Sequence, residues 1–191
     1  MQDIERHLPP DPSLMKSLAL ILLSLAATLS TPAMGTSTRG GFMLTSVALY
    51  QPDPVLRERM GADATPLSNY IKALQAEASA IFSNAERGDG LSGSIVVAVK
   101  PGGQSRVWLV LGQNKLDPAL REALIARLQR VQPVVAVSGP IAFALNFNAW
   151  GAGTPILQPA EHIPIPEEWK AAMKGQPAGV IPDAPLQVLW P

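Results

Sequence analysis

The chain has no cysteine, only two histidines, and no net charge: 15 Lys and Arg stand against 15 Asp and Glu. Without cysteine there is no disulfide, no thiolate metal ligand and no cysteine nucleophile. The absence suits an oxidising compartment, where stray thiols cross-link. The charge balance removes the electrostatic case for a nucleic-acid partner, which needs a cationic footprint, and none is expected. No block of like charges marks a polybasic membrane anchor. The histidines are His7 and His162. A zinc centre draws three or four protein ligands, and neither His-x-His nor His-x-x-x-His spacing occurs. A serine hydrolase would depend on His162 as its base. The stretch "GLSGS" lacks the Gly-x-Ser-x-Gly spacing of a nucleophile elbow. "PGGQ" is too short for a phosphate loop and lacks the Lys-Ser/Thr ending. Carboxylates pair only as Glu167-Glu168, at the start of a short helical pattern, where acids complement the dipole. Glu86 and Asp89 lie in a loop pattern. No catalytic residue, metal or cofactor is assigned.

One apolar run stands out. "MKSLALILLSLAATLSTPAMG" starts at Met15, with Lys16 as a positive n-region and an uncharged stretch at 18–29. Small residues follow, with Ala33 and Gly35 as cleavage points, the layout of a secretory signal. About twelve helical residues span ~18 Å, short of the ~30 Å of hydrocarbon that a membrane span crosses. The polar, proline-bearing segment before Met15 is wrong for an n-region, so translation is expected to start at Met15. Residues 1–34 are read as this signal, and the protein as periplasmic, with no stable membrane span after cleavage.

With 47% hydrophobic residues the chain supports a packed core. Residues 35–64 read as a linker, although "MLTSVALYQ" has the character of a short strand that the prolines at 52 and 54 end. Thr65-Pro66 opens a helix, with Leu67, Ile71, Leu74, Ala78 and Phe82 on one stripe. A hairpin follows over 92–112. Ile95, Val97 and Val99 share one strand face, Val107, Leu109 and Leu111 the other, and Pro101-Gly102-Gly103 makes the turn. Asp117-Pro118 starts a second helix with Leu120, Leu124, Leu128 and Val131 inward. In the last strand Ile141, Phe143, Leu145 and Phe147 alternate with Ala142, Ala144, Asn146 and Asn148, which predicts the first set inward and the second outward. Residues 152–191 form a proline-rich tail with a short helix at "PEEWKAAMKG", pinned to the domain by Trp169 and Trp190.

The expected fold is therefore α+β, αββαβ over 65–151: a three-stranded antiparallel sheet of order 2-1-3 with helices on one face. A crossover helix returns the last strand beside the first. That leaves Ile141, Ala142, Phe143, Ala144, Leu145, Asn146 and Phe147 on an edge strand, whose open amides and carbonyls can pair with a partner strand. Trp108 and Trp150 are expected to pack at the rims of the sheet.

The stretch "GSIVVAVKPGGQSRVWLVLGQNKLDPALREALIARLQ" followed by "GPIAFALNF" resembles the carboxy-terminal domain of TonB and TolA-type envelope proteins. Gly93, Gly103, Leu116, Asp117, Ala123 and Pro133 carry the likeness, which covers about residues 65–150. The resemblance implies an envelope protein that binds a protein partner by strand pairing, and it assigns no contact residue. Two other roles stay open: a periplasmic hydrolase using His162, and an envelope assembly or chaperone factor. His162→Ala separates the hydrolase from the rest: if that reading is right, turnover of a hydrolysable substrate disappears in the variant, and turnover that survives excludes it.

Overall fold

The computed structural model describes residues 41–152, 163–174 and 183–191, and the apolar leader and His162 lie outside them. Among these described residues nine elements follow in chain order. Strand β1 spans Phe42–Leu49, helix α1 Asp53–Met60, helix α2 Thr65–Asn84, strand β2 Leu91–Lys100 and strand β3 Gln104–Leu111. Helix α3 spans Pro118–Leu128, strand β4 Ile141–Ala149, helix α4 Glu167–Ala172 and helix α5 Asp183–Leu189.

The hairpin forms as its pattern requires. Ile95 stands opposite Leu109 and Val97 opposite Val107 in an antiparallel pair. Gly102 and Gly103 take φ values of 90° and 75° at the turn, a region costly for any residue with a Cβ. The connection through α3 then lays β4 antiparallel against the other side of β2, with Val97 opposite Phe143 and Ile95 opposite Leu145.

The sheet does not end there. The short strand expected in the linker is β1, and it pairs antiparallel with the far side of β4, Val47 opposite Leu145 and Leu49 opposite Phe143. The sheet is four-stranded, in the order β1-β4-β2-β3. This corrects the three-stranded arrangement and moves β4 from the edge to the interior. The reason lies in distance along the chain. Alternation shows that a segment is a strand, but not which partner about a hundred residues away completes its ladder.

Helices α1, α2 and α3 cover one face. On α2 the buried stripe is Leu67, Tyr70, Leu74, Ala78 and Phe82, with Tyr70 where the sequence suggested Ile71. The N-cap falls at Ala64 rather than Thr65 and carries no side-chain cap bond, while the Asp63 carboxylate just outside the helix accepts the Thr65 N–H at 2.8 Å. On α3 the Asp117 cap forms as expected, accepting from the Leu120 N–H at 3.0 Å. Leu74, Leu124 and Leu128 meet Ile95, Val97, Val99, Phe143 and Leu145 in the main core.

A second core lies on the opposite face, where Val96, Ala98, Ala142 and Ala144 pack beneath Trp169 of α4 and Leu186 of α5. Helices thus cover both faces rather than one. The small residues read as outward are the flat floor on which the tail indole rests.

Two outcomes follow from this packing. Leu145 is fully buried, and Leu145→Ala should lower the unfolding free energy by about 2–5 kcal/mol in denaturant melts, as buried leucine truncations do. Burial raises both tyrosine phenols above their ordinary range, with Ser105 opposing the shift at Tyr70. The native state therefore keeps protons that the unfolded chain loses above about pH 10, so stability is full below that pH and falls as pH rises. Tyr50→Phe and Tyr70→Phe should each flatten that alkaline slope by up to one proton, and an unchanged slope in both would contradict the assignment.

Candidate functional site at the open edge of β3

The seven residues expected to bind a partner strand are committed elsewhere. Ile141, Phe143, Leu145 and Phe147 point into the main core, and Ala142 and Ala144 into the second. The backbone of β4 pairs with β1 on one side and β2 on the other, so the edge position assigned to this strand is corrected. Asn146 belongs to a polar ladder across three strands. Ser94 donates to its Oδ1 at 2.6 Å, and its Nδ2 donates to Ser46 Oγ at 2.9 Å. Both asparagines were expected on the outward face; Asn148 is buried, and Asn146 is half-buried within its ladder.

Among the described residues the open edges are β1 and β3. β1 exposes Met43, Val47 and Leu49, but its ladder shifts register between Leu44 and Ser46. Thr45 Oγ1 donates to Asn146 O at 3.0 Å there. Such a bulge twists an edge away from regular pairing.

β3 differs. In an antiparallel ladder, residues alternate between those bonded to the partner and those whose backbone groups face away. The Gly112 N–H reaches Ser92 O at 3.0 Å. Counting back by twos along the paired residues, Val110, Trp108 and Arg106 bond to β2. Val107, Leu109 and Leu111 direct their amides and carbonyls to the open side. One of these groups has a partner in place: the Arg121 guanidinium donates to Leu109 O at 3.4 Å.

This edge is the floor of a groove of about 500 Å³. Arg121, Ile125 and Gln129 of α3 form one wall; Ile165 and Pro166, with Glu167 and Glu168 at the start of α4, form the other. The first wall stands where it does because the Asp117 cap and buried Leu124 and Leu128 fix the rotation of α3. The second is pinned through its indole. Trp169 is 1% exposed, edge-on to Trp108 at 5.2 Å and tilted against Tyr50 at 5.4 Å. The Trp108 Nε1–H donates to Glu168 Oε2 at 2.7 Å. Tyr50 OH donates to Pro164 O, and Arg106 Nη1 donates to Leu189 O at 2.7 Å. At the far end Arg59 makes a two-pronged pair with Asp183, at 2.7 and 2.6 Å, which raises the guanidinium pKa still further. The Lys100 ammonium lies 4.7 Å from the Trp190 ring centroid.

The groove is polarised. Its α3 wall carries Arg121 and its α4 wall carries Glu167 and Glu168. In the sequence Glu167 and Glu168 read only as a complement to the helix dipole, and Arg121 carries no signal of its own. No local signal joins residues that converge from three elements. Trp108 and Trp150 are both buried, and the Trp150 Nε1–H donates to Phe82 O at 3.3 Å. Among the described residues no group of three or more His, Asp or Glu side chains is placed to hold a metal ion. No described helix is long and apolar enough to cross a membrane. Comparison with family models, with curated proteins and with solved structures returned no match to this chain.

If Trp169 is the pin, Trp169→Ala should destabilise by about 3–5 kcal/mol, the usual cost of emptying a buried indole site. Hydrogen exchange should then show early loss of protection in α4 and α5 while β2 and β4 keep theirs. Unchanged protection in both helices would assign the docking to other contacts.

Proposed function

We propose that this protein is an exported, periplasmic strand-binding module of the cell envelope, which holds an extended segment of a protein partner along the open edge of β3. The observation that carries the reading is the row of outward-facing backbone groups at Val107, Leu109 and Leu111 on the floor of a walled groove. Backbone pairing supplies affinity in such an arrangement, and the walls supply selectivity through alternate side chains. Six groove-floor residues, 106–111, extend roughly 20 Å at the usual rise of a strand, enough for a short linear segment. The apolar leader at 18–29 supports export, and the resemblance to TonB and TolA-type carboxy-terminal domains supports envelope strand pairing. In this reading the chain is a binding protein and not an enzyme.

A test uses a strand position where proline is tolerated. Proline removes a backbone N–H, and at Val107 that N–H faces away from β2, as edge-strand prolines require. A phage-displayed library of random twelve-residue peptides, selected on the purified protein, should yield binders that slow amide exchange at Val107, Leu109 and Leu111. Val107→Pro should retain a cooperative thermal transition and lose these binders. Binders that leave the three amides unprotected, or that bind Val107→Pro equally well, would place recognition elsewhere.

A further inference from the structure

We infer that the β3 groove selects strands carrying an acidic side chain on the face toward α3 and a basic side chain on the face toward α4. This rests on the strand-binding reading and adds the chemistry of the partner.

The argument starts from Arg121. Its guanidinium now donates to the outward carbonyl of Leu109. A strand docking on β3 brings its own N–H to that carbonyl and displaces the guanidinium. A cation that loses its acceptor inside a forming interface is left uncompensated, and a carboxylate matches the planar guanidinium fork best. The side chain able to supply it is one that the incoming strand points toward α3.

The opposite wall asks for the reverse sign. Glu168 Oε2 accepts from the Trp108 indole, and Arg106 stands 4.0 Å away. Its side chain is still 57% exposed. Glu167 pairs with Lys170 three residues on and is 85% exposed. Both carboxylates have acceptor capacity left for a basic group on the strand's α4-facing side. Ile125 and Ile165, one on each wall, offer apolar contact to neighbouring positions.

Successive side chains of a strand point to opposite faces. An acid and a base on opposite faces therefore lie an odd number of positions apart, as in an adjacent acid-base pair. An even spacing puts both on one wall and sets one of them against its own sign. A second copy of this chain fits poorly. β3 itself, "QSRVWLVL", contains no acidic residue to meet Arg121, and two walled edges obstruct one another.

The selected twelve-residue peptides provide the test, with the full chain as bait. They should be enriched in one acid and one base at odd spacing, and their affinity should fall as salt is raised. Arg121→Glu should weaken them at least tenfold, and replacing the peptide acid by lysine should restore binding to that variant. Glu167→Lys should do the same for the peptide base. These substitutions leave Trp169 and the Asp117 cap untouched, and the cooperative thermal transition of each variant checks its folding. Peptides that protect the β3 amides without the odd-spaced pair, or that ignore Arg121→Glu, would overturn this inference and leave strand binding standing. Protection of the β3 amides by self-association alone would overturn it in favour of a second copy. Peptides that never protect those amides would remove the strand-binding reading itself.

Discussion

The two-sided pairing of β4 is the constraint on which the remaining structure depends. One of its neighbours, β2, comes from the hairpin close by in the chain; the other, β1, precedes it by about a hundred residues. With both rows of its backbone groups occupied, β4 anchors two cores at once. Its large residues meet α2 on one side, and its alanines and the Asn146 ladder lie on the other. A sheet of four strands has two edges. With β4 taken out of that role, the chain is left with an edge irregular at Thr45 and one that is regular and walled.

The walls are a consequence of layering. Helix α3 returns the chain from β3 to β4 and so lies along β3 on the main-core face. Helices α4 and α5 lie on the opposite face because Ala98, Ala142 and Ala144 leave room there for an indole. Trp169 fills that room, and Trp108, a residue of β3, is both its aromatic neighbour and the donor to Glu168. The second wall is thereby tied to the strand whose edge it flanks. The Arg59–Asp183 pair fastens the start of α5 to α1, which follows β1. Each segment that was expected to be an appendage, linker or tail, thus closes one side of the sheet.

Much of this fold was legible before any coordinates. The hairpin, the stripe on α2, the Asp117 cap and the alternation of β4 each rest on contacts within a few residues, where period and capping chemistry speak directly. Tyr70 in place of Ile71 on the stripe and Ala64 in place of Thr65 at the cap are shifts of one residue within correctly placed elements. The open edge was legible only in kind. An edge strand was anticipated, but it was assigned to Ile141, Ala142, Phe143, Ala144, Leu145, Asn146 and Phe147, because nothing local to "MLTSVALYQ" tells that it reaches β4. The groove drew on Arg121, Glu167 and Glu168, each of which has an ordinary surface explanation when read alone.

The sequence by itself determined the α+β class, the hairpin, the strand over 141–149, the helices α2, α3 and α4, the lack of thiol chemistry and the balance of charge, since all of these follow from composition and short-range periodicity. Only the tertiary structure decided which strand is central, that both faces are covered, and where an open edge remains. Those outcomes depend on pairings between segments far apart in the chain, and on how neatly a tail indole fits over small side chains. Hydrogen-bond ladders and shape complementarity of that kind exist only between surfaces brought together in space.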